Sequence, residues 1–429
     1  FDTIEFSQKK NTDVLVLDHH QSEVNLPKAF SVVNPNRHDD VSNLNYLCAA
    51  GVCFMFLVAL NKRLRDINWF NENKITEPDL MNYLDLVSLG TICDVVPLVG
   101  LNRAIVRNGL EIMKKNSNLG IKTLKNICGI EANLNTYHLG YILGPRINAG
   151  GRVGKCSHGA NLLLSRDSKE IFKLASELDA YNKERKLIES GMLKKIESTI
   201  NINPNEPVIV LSGHNWHGGI IGIVASRIKE KYNKPTIIIS VEKGLGRASA
   251  RSIIGFDIGT AIISAVQNNI LKKGGGHKMA GGFSIEESKI EEFKNFIIKK
   301  FLKIEKTLVP SNELFFDSKI SPSALNSDFF SQINSLSPFG SGNPEPRFVI
   351  EDLELLKSSI VGERHIRSLL AAKDGSVVKS VTFNATKTDL ETYLLSKKRK
   401  KINIFGKLSL NEWKGKKNVE FIIDDISVN

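Results

Sequence analysis

The chain has 429 residues and a formal net charge of +12, and its pI is about 9.3. Its length exceeds that of one ordinary domain, so we expect two or three domains, and its basic character favours a polyanionic partner. A hydrophobic share of 41% with 24% charged residues is normal for a soluble globular protein. The longest uncharged apolar run, residues 46–60, is shorter than the ~20 residues of a membrane span, which argues against a membrane protein. The five cysteines form no C-x-x-C pair, as expected for buried thiols in a reducing, cytoplasmic compartment.

A strand that runs directly into an acid and two imidazoles is the first motif along the chain. Residues 14–17 read Val-Leu-Val-Leu, an apolar run typical of a buried parallel strand, and Asp18, His19 and His20 follow at once. Ligands of parallel sheets gather at the carboxyl ends of strands. Oxygen and imidazole donors together suit Mn²⁺ or Mg²⁺, and Asp94 supplies a second acid in the segment Leu-Gly-Thr-Ile-Cys-Asp-Val-Val-Pro. Adjacent histidines that only cap a loop are the alternative.

Hydrophobic periodicity predicts most of the remaining elements. Helices are expected over 47–64 and 77–89, and one or two long helices over 168–200 would bridge two lobes. A β-α-β unit follows, with its strand, helix and strand at 208–211, 219–232 and 236–241. Short alternating strands then predict a small β-barrel, at 348–350, 377–383, 402–408 and 419–423.

The segment from Gly274 to Gly282 reads Gly-Gly-Gly-His-Lys-Met-Ala-Gly-Gly. Five glycines around one histidine predict a loop whose backbone approaches a ligand closely, with free N–H groups and the imidazole of His277 directed at anionic oxygen. A flexible turn is the alternative. In the barrel region, the basic run 397–401 suits the backbone of a single strand, and Phe405 and Trp413 are candidates for base stacking. A solvated loop is the alternative for the basic run.

The Asp-His-His and Gly-Gly-Gly-His motifs resemble the DHH phosphoesterases and their associated DHHA1 domain. Five further segments make the chain similar to the RecJ family of single-strand-specific exonucleases, in that family's order and over nearly the whole chain. These segments are LGTICDVVPLVGLNR (89–103), LGPRINAGGRVG (143–154), WHGGIIGIVASRI (216–228), GRASARSIIGFD (246–257) and LSPFGSGNPEPRF (336–348).

The resemblance implies an α/β fold with a C-terminal β-barrel. It places a partial, parallel-sheet DHH phosphoesterase domain at 1–165 and a helical connector at 166–203. An α/β DHHA1 domain would follow at 204–308, and an OB-fold domain that binds nucleic acid at 309–429.

The resemblance also implies roles for the residues of the Asp-His-His motif. His19 and Asp94 match metal ligands for Mn²⁺ or Mg²⁺, with two ions in the complete protein. His20 would contact the scissile phosphate or assist the leaving group, and Asp18 would orient the histidines. Family members carry an Asp-x-Asp motif and a further aspartate ahead of Asp-His-His, and nothing before Val14 matches them. We therefore expect an incomplete fragment with reduced or no activity.

Nine residues are expected to contact phosphate or nucleic acid. Guanidinium groups in a glycine-rich turn match phosphate geometry, and a Ser-x-Arg pair after a strand would hold the 5′ end of a strand. Surface arginines on a loop are the alternative. The nine are Arg146, Asn148, Arg152, His217, Ser249, Arg251, Gly275, Gly276 and His277.

The function implied is that of a metal-dependent 5′→3′ exonuclease on single-stranded DNA, which releases mononucleotides in recombination and repair. A monomer is expected, with a single-strand-binding protein and a helicase as further partners. Two alternatives are a small-substrate DHH phosphodiesterase, acting on oligonucleotides or cyclic dinucleotides, and a catalytically dead scaffold that binds nucleic acid. Several phosphate contacts predict a steep salt dependence of binding, roughly −0.7 per contact on single strands, and a dinucleotide enzyme should show a shallow one.

Overall fold

A computed structural model of the chain describes residues 2–22, 24–115, 118–199, 203, 205–305, 313–396, 401–413 and 416–428. The α-helices are, in chain order, α1 (Asp2–Lys9), α2 (Ala49–Asp66), α3 (Trp69–Glu72), α4 (Leu84–Cys93), α5 (Gly100–Lys114), α6 (Leu119–Ile127), α7 (Gly144–Val153), α8 (Ser157–Leu164), α9 (Ser168–Thr199), α10 (Ile221–Tyr232), α11 (Ile258–Gln267), α12 (Ile290–Glu305), α13 (Ser327–Ser335) and α14 (Asp389–Leu394). The strands are β1 (Leu15–Leu17), β2 (Ser31–Val33), β3 (Ile209–His214), β4 (Thr236–Glu242), β5 (Leu245–Arg251), β6 (Lys273–His277), β7 (Ala280–Glu286), β8 (Ser318–Lys319), β9 (Phe348–Val361), β10 (His365–Ala371), β11 (Val377–Thr382), β12 (Lys401–Trp413) and β13 (Lys416–Val428).

The chain packs into two compact units. The first comprises Phe1–Cys93 and Gly109–Pro310, and the second comprises Asp94–Asn108 and Ser311–Asn429. The short segment that follows Asp94 therefore packs with the C-terminal barrel region. The division into four domains stays a prediction.

The amino-terminal part of the first unit contains the parallel strand predicted at 14–17, but the strand is shorter and only partly buried, with Leu15 exposed. β1 pairs with β2 in parallel over three residues each, with Leu15 opposite Ser31. α2 confirms the helix expected over 47–64. The helix expected over 77–89 begins later, because Asp79 caps a 3₁₀ turn by accepting a hydrogen bond from the amide of Met81, and α4 then follows. None of the helices in the described ranges is long and apolar enough for a membrane span.

α9 is one continuous helix of 32 residues, where the sequence allowed one or two. Its first half buries Ile171 and Leu178 in the core formed with α4 and α6 to α8, and its second half buries Ile196 in a core with α10 and the sheet that begins at β3. The helix therefore belongs to two hydrophobic cores, which is the bridging arrangement expected from its periodicity.

The sheet of the second half of this unit has the strand order β3-β4-β5-β7-β6. β3 and β4 are parallel and joined by α10, which confirms the β-α-β unit, and the other neighbours are antiparallel. One face is covered by α10 and the second half of α9. The other face is covered by α11 and α12, where Phe283 and Phe293 are fully or almost fully buried.

The second unit contains a closed five-stranded barrel. Its order is β9-β10-β11-β13-β12, and β12 pairs with β9 to close the ring. β11 and β13 are parallel and the other neighbours in the ring antiparallel. The core is apolar, with Ile404 and Phe421 fully buried. This is the OB-fold topology that the sequence predicts, and β10 is the strand that the sequence did not reveal.

The first prediction concerns Asp179 of α9, whose carboxylate pairs with Arg146 of α7. Asp179 accepts a 2.8 Å hydrogen bond from Arg146, and both side chains are largely buried, whereas its other partner Lys183 is 74% exposed. Burial alone would raise the pKa of Asp179, but the bonds from Lys183 and Arg146 outweigh it and lower that pKa. We expect Asp179→Asn to reduce the free energy of unfolding by about 3 kcal/mol, because it leaves a buried guanidinium without its charged partner.

Urea unfolding at neutral pH measures this loss, with Lys183→Ala as the control, for which less than about 1 kcal/mol is expected. Because the folded-state pKa of Asp179 lies below its ordinary value, the difference between wild type and variant should persist at neutral pH. It should shrink as the pH falls through that lowered pKa. Equal losses in the two variants would contradict the prediction.

Candidate functional site

The Asp-His-His turn is held by the strand beside it. Asp18 Oδ1 lies 2.7 Å from His20 Nδ1. The side-chain amide of Asn34 donates to the backbone carbonyl of His20 at 2.9 Å, and the side-chain amide of Asn36 donates to the backbone carbonyl of His19 at 2.7 Å. Both asparagines follow β2, whose carboxyl end lies beside that of β1 because the two strands are parallel. The sequence analysis missed the two asparagines, although polar residues after a second parallel strand were a usable signal.

The contacts of this turn change the pKa of Asp18. Partial burial would raise its pKa, but the hydrogen bond with His20 and backbone amide bonds outweigh the burial, so that the pKa of Asp18 is lowered. The carboxylate therefore stays charged at neutral pH and fixes the ring of His20. The contact agrees with the orienting role predicted for Asp18, and the roles of Asp18 and His20 stay predictions.

Asp94 follows α4 at the start of the segment that belongs to the second unit. The next residue, Val95, has φ +60°, a left-handed conformation that is rare for a β-branched residue. Such strain costs about 1–3 kcal/mol and concentrates at functional sites. Within the described ranges, no three His, Cys, Asp or Glu side chains come together as a metal-binding group. His19 and Asp94 supply donors of suitable chemistry, and their roles as ligands stay predictions.

Two of the sequence segments singled out above meet inside the second unit. The amide of Leu98 donates to the carbonyl of Ser341 at 2.6 Å, and Arg103 donates to the carbonyl of Leu336. A side chain at Gly342, which has φ +70°, would lie 2.9 Å from Pro97. The glycines of the second segment are therefore needed for this close approach.

The three predicted residues of Gly-Pro-Arg-Ile-Asn-Ala-Gly-Gly-Arg lie on a helix, α7, and the expectation of a glycine turn is wrong. Pro145 fits the first turn of α7, where its missing N–H would have no partner in the helix. The guanidinium of Arg146 donates to Asp179 and to the carbonyl of Ile142, so a phosphate would have to share it. Asn148 is exposed and lies two positions after Arg146, so the two side chains are on different sides of the helix.

Arg152 lies at the last turn of α7 and donates to the carbonyl of Gly219 at 3.1 Å. The Gly218-Gly219 turn leads into α10, and a side chain at Gly219 would lie 2.5 Å from the carbonyl oxygen of Arg152. His217 is exposed, and its Nδ1 accepts a hydrogen bond from the amide of Gly219 at 3.2 Å, which shapes this turn. Arg152 and the entrance to α10 are therefore in direct contact.

Ser249 and Arg251 lie within β5, not after a strand as the sequence indicated. Arg251 Nη1 lies 3.2 Å from Ser249 Oγ, and its Nε lies 3.2 Å from Ser226 Oγ on α10. A side chain at Gly222, in the first turn of α10, would lie 2.9 Å from Ser249 Oγ and 3.1 Å from Arg251 Nη2. Burial lowers the pKa of Arg251, and the neighbouring Arg152 lowers it further. Two guanidinium groups thus converge beside a hydroxyl and a helix N-terminus, which together suit a phosphate.

The Gly-Gly-Gly-His segment is a β-hairpin, β6 and β7, and the expectation of a loop is wrong. A side chain at Gly274 would lie 2.8 Å from Ile262 on α11, and one at Gly281 would lie 2.5 Å from the same residue. These two glycines are required by packing on the covered face of the sheet. Gly276 lies on the same covered face by alternation and packs against the start of α11. This packing explains why a glycine is found at position 276, without any contact to a ligand.

The opposite face of this hairpin continues from the Ser249–Arg251 pair. Residues directly opposite in an antiparallel sheet point to the same face. Two rows cross β5, β7 and β6, namely Ser249–Gly282–Gly275 and Arg251–Ala280–His277. Gly282 and His277 are exposed, and a side chain at Gly275 would meet open space. We call the surface formed by Gly275, Ala280 and Gly282 the glycine face; it lies next to Ser249 and Arg251 and has no side chain larger than a methyl group.

The geometry of the site can now be set beside known proteins. The description "DHHA1 domain" matches residues 205–303, and "RecJ OB domain" matches residues 316–425. The single-stranded-DNA-specific exonuclease RecJ of Salmonella typhimurium is 34% identical over 426 residues, which cover 96% of this chain and 73% of that protein. The chain belongs to the RecJ family.

Solved structures of this family have the same fold. RecJ from Thermus thermophilus in complex with Mn²⁺ matches with a TM-score of 0.81 and 29% identity over 98% of this chain and 58% of that chain. Its complex with Mg²⁺ matches with a TM-score of 0.79 and 29% identity over 97% of this chain and 60% of that one. RecJ proteins are exonucleases, so the chain belongs to a family of hydrolytic enzymes whose solved members bind these two divalent ions. This chain spans about three fifths of the solved Thermus chain.

The second prediction tests the contact between α10 and the Ser249–Arg251 pair. We expect Gly222→Ala to weaken binding of 5′-phosphorylated single-stranded DNA by about fivefold, because the added methyl group displaces the side chains of Ser249 and Arg251, the expected phosphate contacts, by a few tenths of an ångström. Fluorescence anisotropy measures this affinity.

The control is Gly191→Ala on the exposed side of α9, where a side chain would meet open space. Both changes favour a helix by up to about 1 kcal/mol, so neither should lower the melting temperature. Unchanged affinity in Gly222→Ala would contradict a phosphate site at this contact.

Proposed function

We propose that the chain acts on single-stranded DNA as a metal-dependent 5′→3′ exonuclease that releases mononucleotides, in recombination and repair. The observation that supports this most directly is the convergence of Arg152, Ser249 and Arg251 beside the N-terminus of α10. Membership of the RecJ family supports the substrate and the reaction. The polarity is supported by a phosphate pocket that would hold the 5′ end.

The proposed pocket binds the terminal phosphate and orients the strand behind it. Arg251 would offer its guanidinium fork, Ser249 its hydroxyl and the first turn of α10 its backbone amides. The glycine face beside them lets a sugar–phosphate backbone approach the sheet closely, since a larger side chain at Gly275 or Gly282 would stand in its way. His277 lies at the end of the same row and would donate to a neighbouring phosphate. All of these contacts are to the sugar–phosphate backbone of the nucleic acid, so binding would not depend on base sequence.

Mn²⁺ or Mg²⁺ is the proposed cofactor, and two ions are expected from the resemblance. A bound ion of this kind supplies a hydroxide nucleophile and neutralises charge on the phosphate. We propose His19 and Asp94 as ligands, with His20 placed by Asp18 to contact the reacting phosphate. A divalent site needs about six donors, so these residues do not complete one alone, and we derive no reaction step through the ion.

A cavity on the barrel supports a second contact with the strand. It has a volume of about 340 Å³, and its lining includes residues of β10, β12 and β13 and the carboxyl ends of β9 and β11. Phe383 is 54% exposed there and packs edge-to-face against His365, with ring centroids 5.2 Å apart. Arg367 contributes a cation at the same cavity, paired with Glu420. We propose that one base stacks on Phe383, as single strands do on aromatic platforms of OB-folds.

The sequence offered two other aromatic candidates for base stacking, Phe405 and Trp413. Phe405 lies on β12 and is not among the residues that line the cavity. The side chain of Trp413 and residues 397–400 of the basic run lie outside what the structure describes. Phe383 was missed because it follows β11 directly and was counted as part of the strand.

The wider cellular setting is also a proposal. Family membership supports a monomeric, cytoplasmic protein, with a single-strand-binding protein and a helicase as further partners. A small-substrate phosphodiesterase is less well supported, because neither the glycine face nor the cavity of the barrel is needed for a dinucleotide. A shallow salt dependence of binding would favour that alternative.

The third prediction tests the proposed reaction and its polarity. With Mn²⁺ and single-stranded DNA we expect release of mononucleotides, faster from a 5′-phosphorylated strand than from a 5′-hydroxyl strand. Arg251→Ala should reduce affinity for the phosphorylated strand at least about tenfold, because a hydrogen bond between charged groups contributes ~1.5–3 kcal/mol. Arg251→Lys should recover only part of this loss, since an ammonium lacks the guanidinium fork.

Arg166→Ala is the control, because Arg166 is exposed outside the pocket. Product analysis and anisotropy are measured on the same samples, so nucleotide release is tested separately from binding. Binding without release of nucleotides, under all metal conditions, would favour the scaffold alternative. An equal response to both strands in wild type would exclude a 5′-phosphate pocket.

The fourth prediction tests the base platform on the barrel. Phe383→Ala should weaken binding of single-stranded DNA about tenfold, because base–aromatic stacking contributes ~1–3 kcal/mol. The control is Phe315→Ala, which removes an exposed phenylalanine of the same unit that does not line the cavity. The discrimination between 5′-phosphate and 5′-hydroxyl ends should remain in Phe383→Ala. Equal affinities for the two variants would exclude stacking at Phe383.

A further inference from the structure

A buried polar stripe runs along α9 beneath the arginines of the proposed pocket. Its residues are spaced three, three and four apart, so they share one side of the helix. Each is less than a tenth exposed: Asp179 8%, Asn182 1%, Arg185 8% and Glu189 8%. The first of these holds Arg146 on α7. The remaining three have no part in the proposed reaction as described above.

Glu189 is the centre of the second half of this stripe. Its Oε2 accepts a 2.7 Å hydrogen bond from Arg185, and its Oε1 accepts a 3.1 Å bond from Arg227 on α10. Arg185 in turn donates through Nε to Asn182 Oδ1 at 3.2 Å. One carboxylate therefore ties a guanidinium of α9 to a guanidinium of α10, and its two oxygens are engaged by different helices.

This network reaches the proposed pocket through Arg152. Loss of hydration lowers the pKa of Arg152, the nearby Arg185 lowers it further, and Glu189 opposes them. Arg152 also lies within electrostatic reach of Arg251. The same link is geometric, because Glu189 anchors Arg227 on α10 and the turn that leads into α10 accepts the 3.1 Å hydrogen bond from Arg152.

Stability alone is a weak reason for such a buried ion network. A buried ion pair loses so much hydration that well-packed apolar residues of similar volume are often equally stable. The network instead gives fixed geometry, because a bidentate carboxylate between two guanidinium forks allows few arrangements. It joins α9 to α10, and α10 carries Ser226, whose hydroxyl lies 3.2 Å from Arg251 Nε.

We propose that Glu189 is a positioning residue for phosphate recognition, which holds Arg185 and Arg227 so that Arg152 stays directed at the phosphate beside Arg251. This inference rests on the proposed 5′-phosphate pocket. Glu189 itself does not contact the substrate.

Charge and geometry make opposite predictions for Glu189→Gln. Removing a negative charge near the pocket increases its positive potential, so a purely electrostatic role predicts tighter binding of a phosphorylated strand. Loss of positioning predicts weaker binding, because the amide accepts through one oxygen only, so that either Arg185 loses its carboxylate or Arg227 keeps only its 3.4 Å contact with Glu230. The sign of the change therefore separates the two explanations.

The experiment measures the affinity for two otherwise identical single strands, with a 5′-phosphate or a 5′-hydroxyl end, by fluorescence anisotropy at one salt concentration. The readout is the ratio of the two affinities, which a general loss of folded protein does not change. Glu189→Gln should lower this ratio about tenfold. Glu184→Gln, an exposed glutamate on the same helix, should leave it unchanged. In an Arg152→Ala background, Glu189→Gln should have no further effect on the ratio, because the side chain that it positions is absent.

Each result has a definite meaning. A ratio that stays the same or rises in Glu189→Gln, while Arg152→Ala and Arg251→Ala lower it, overturns the positioning role and leaves the pocket intact. A ratio that neither arginine variant lowers shows that the pocket itself is wrong, and the proposed function fails at that point. If Glu189→Gln does not fold, Arg185→Lys replaces it: the charge remains, but an ammonium cannot bridge Asn182 and Glu189 with a planar fork, so the ratio should fall in the same way.

Discussion

The proposed phosphate pocket would depend on carboxylates of α9. Buried guanidinium groups are tolerated only where charge and hydrogen bonds compensate their lost hydration. α9 provides this twice, with Asp179 beside Arg146 and Glu189 beside Arg185, and Glu189 also pairs with the more exposed Arg227. The same helix contributes to two hydrophobic cores, so its position is fixed by apolar packing at both ends. The polar contacts between them are therefore presented from a rigid support.

The glycine-rich hairpin illustrates how one motif serves two faces of a sheet. Gly274 and Gly281 are small because α11 packs against them, which is a requirement of the fold. Gly275 and Gly282 lie on the opposite face, where a side chain would meet little or nothing. For these two residues the fold itself does not require a glycine, and the proposed close approach of a sugar–phosphate backbone would account for them. The motif therefore serves the fold on one face and the proposed binding surface on the other, and alternation along the strands assigns each glycine to a face.

The sequence predicted elements whose patterns were unambiguous. The β-α-β unit was recognisable from its apolar strands, and the helix over 168–200 from its period. α7 was missed because Pro145, Gly150 and Gly151 resemble a turn; the helix forms since Pro145 fits the first turn and Gly150 allows close contact with Leu178 and the carbonyl of Lys155. The strands β5 to β7 were hidden by alanine and glycine, which carry little strand propensity and depend on pairing with their neighbours.

The candidate site was predictable as far as local motifs reach. The sequence singled out Ser249 and Arg251 from a short motif, and their contact is local along one strand. Gly222, Ser226 and Glu189 lie on other elements, and only tertiary packing brings them to this pair and to Arg152. Glu189 in particular belongs to a charged helix whose glutamates are ordinarily expected in solvent, and no local pattern distinguishes it from the exposed Glu184.

The charge of a terminal phosphate explains why such a pocket would recognise an end. A phosphodiester within a strand carries one negative charge, whereas a terminal phosphate monoester with a second pKa near ~6 carries almost two at neutral pH. A site with two converging guanidinium groups, a hydroxyl and a helix N-terminus gains more from the second charge than a site with one cation would. The gain requires that both guanidinium groups face the phosphate at once, and their mutual repulsion opposes this in the absence of ligand. Discrimination of ends would therefore depend less on the amount of positive charge than on how firmly that charge is held, which is the property that we propose Glu189 of α9 controls.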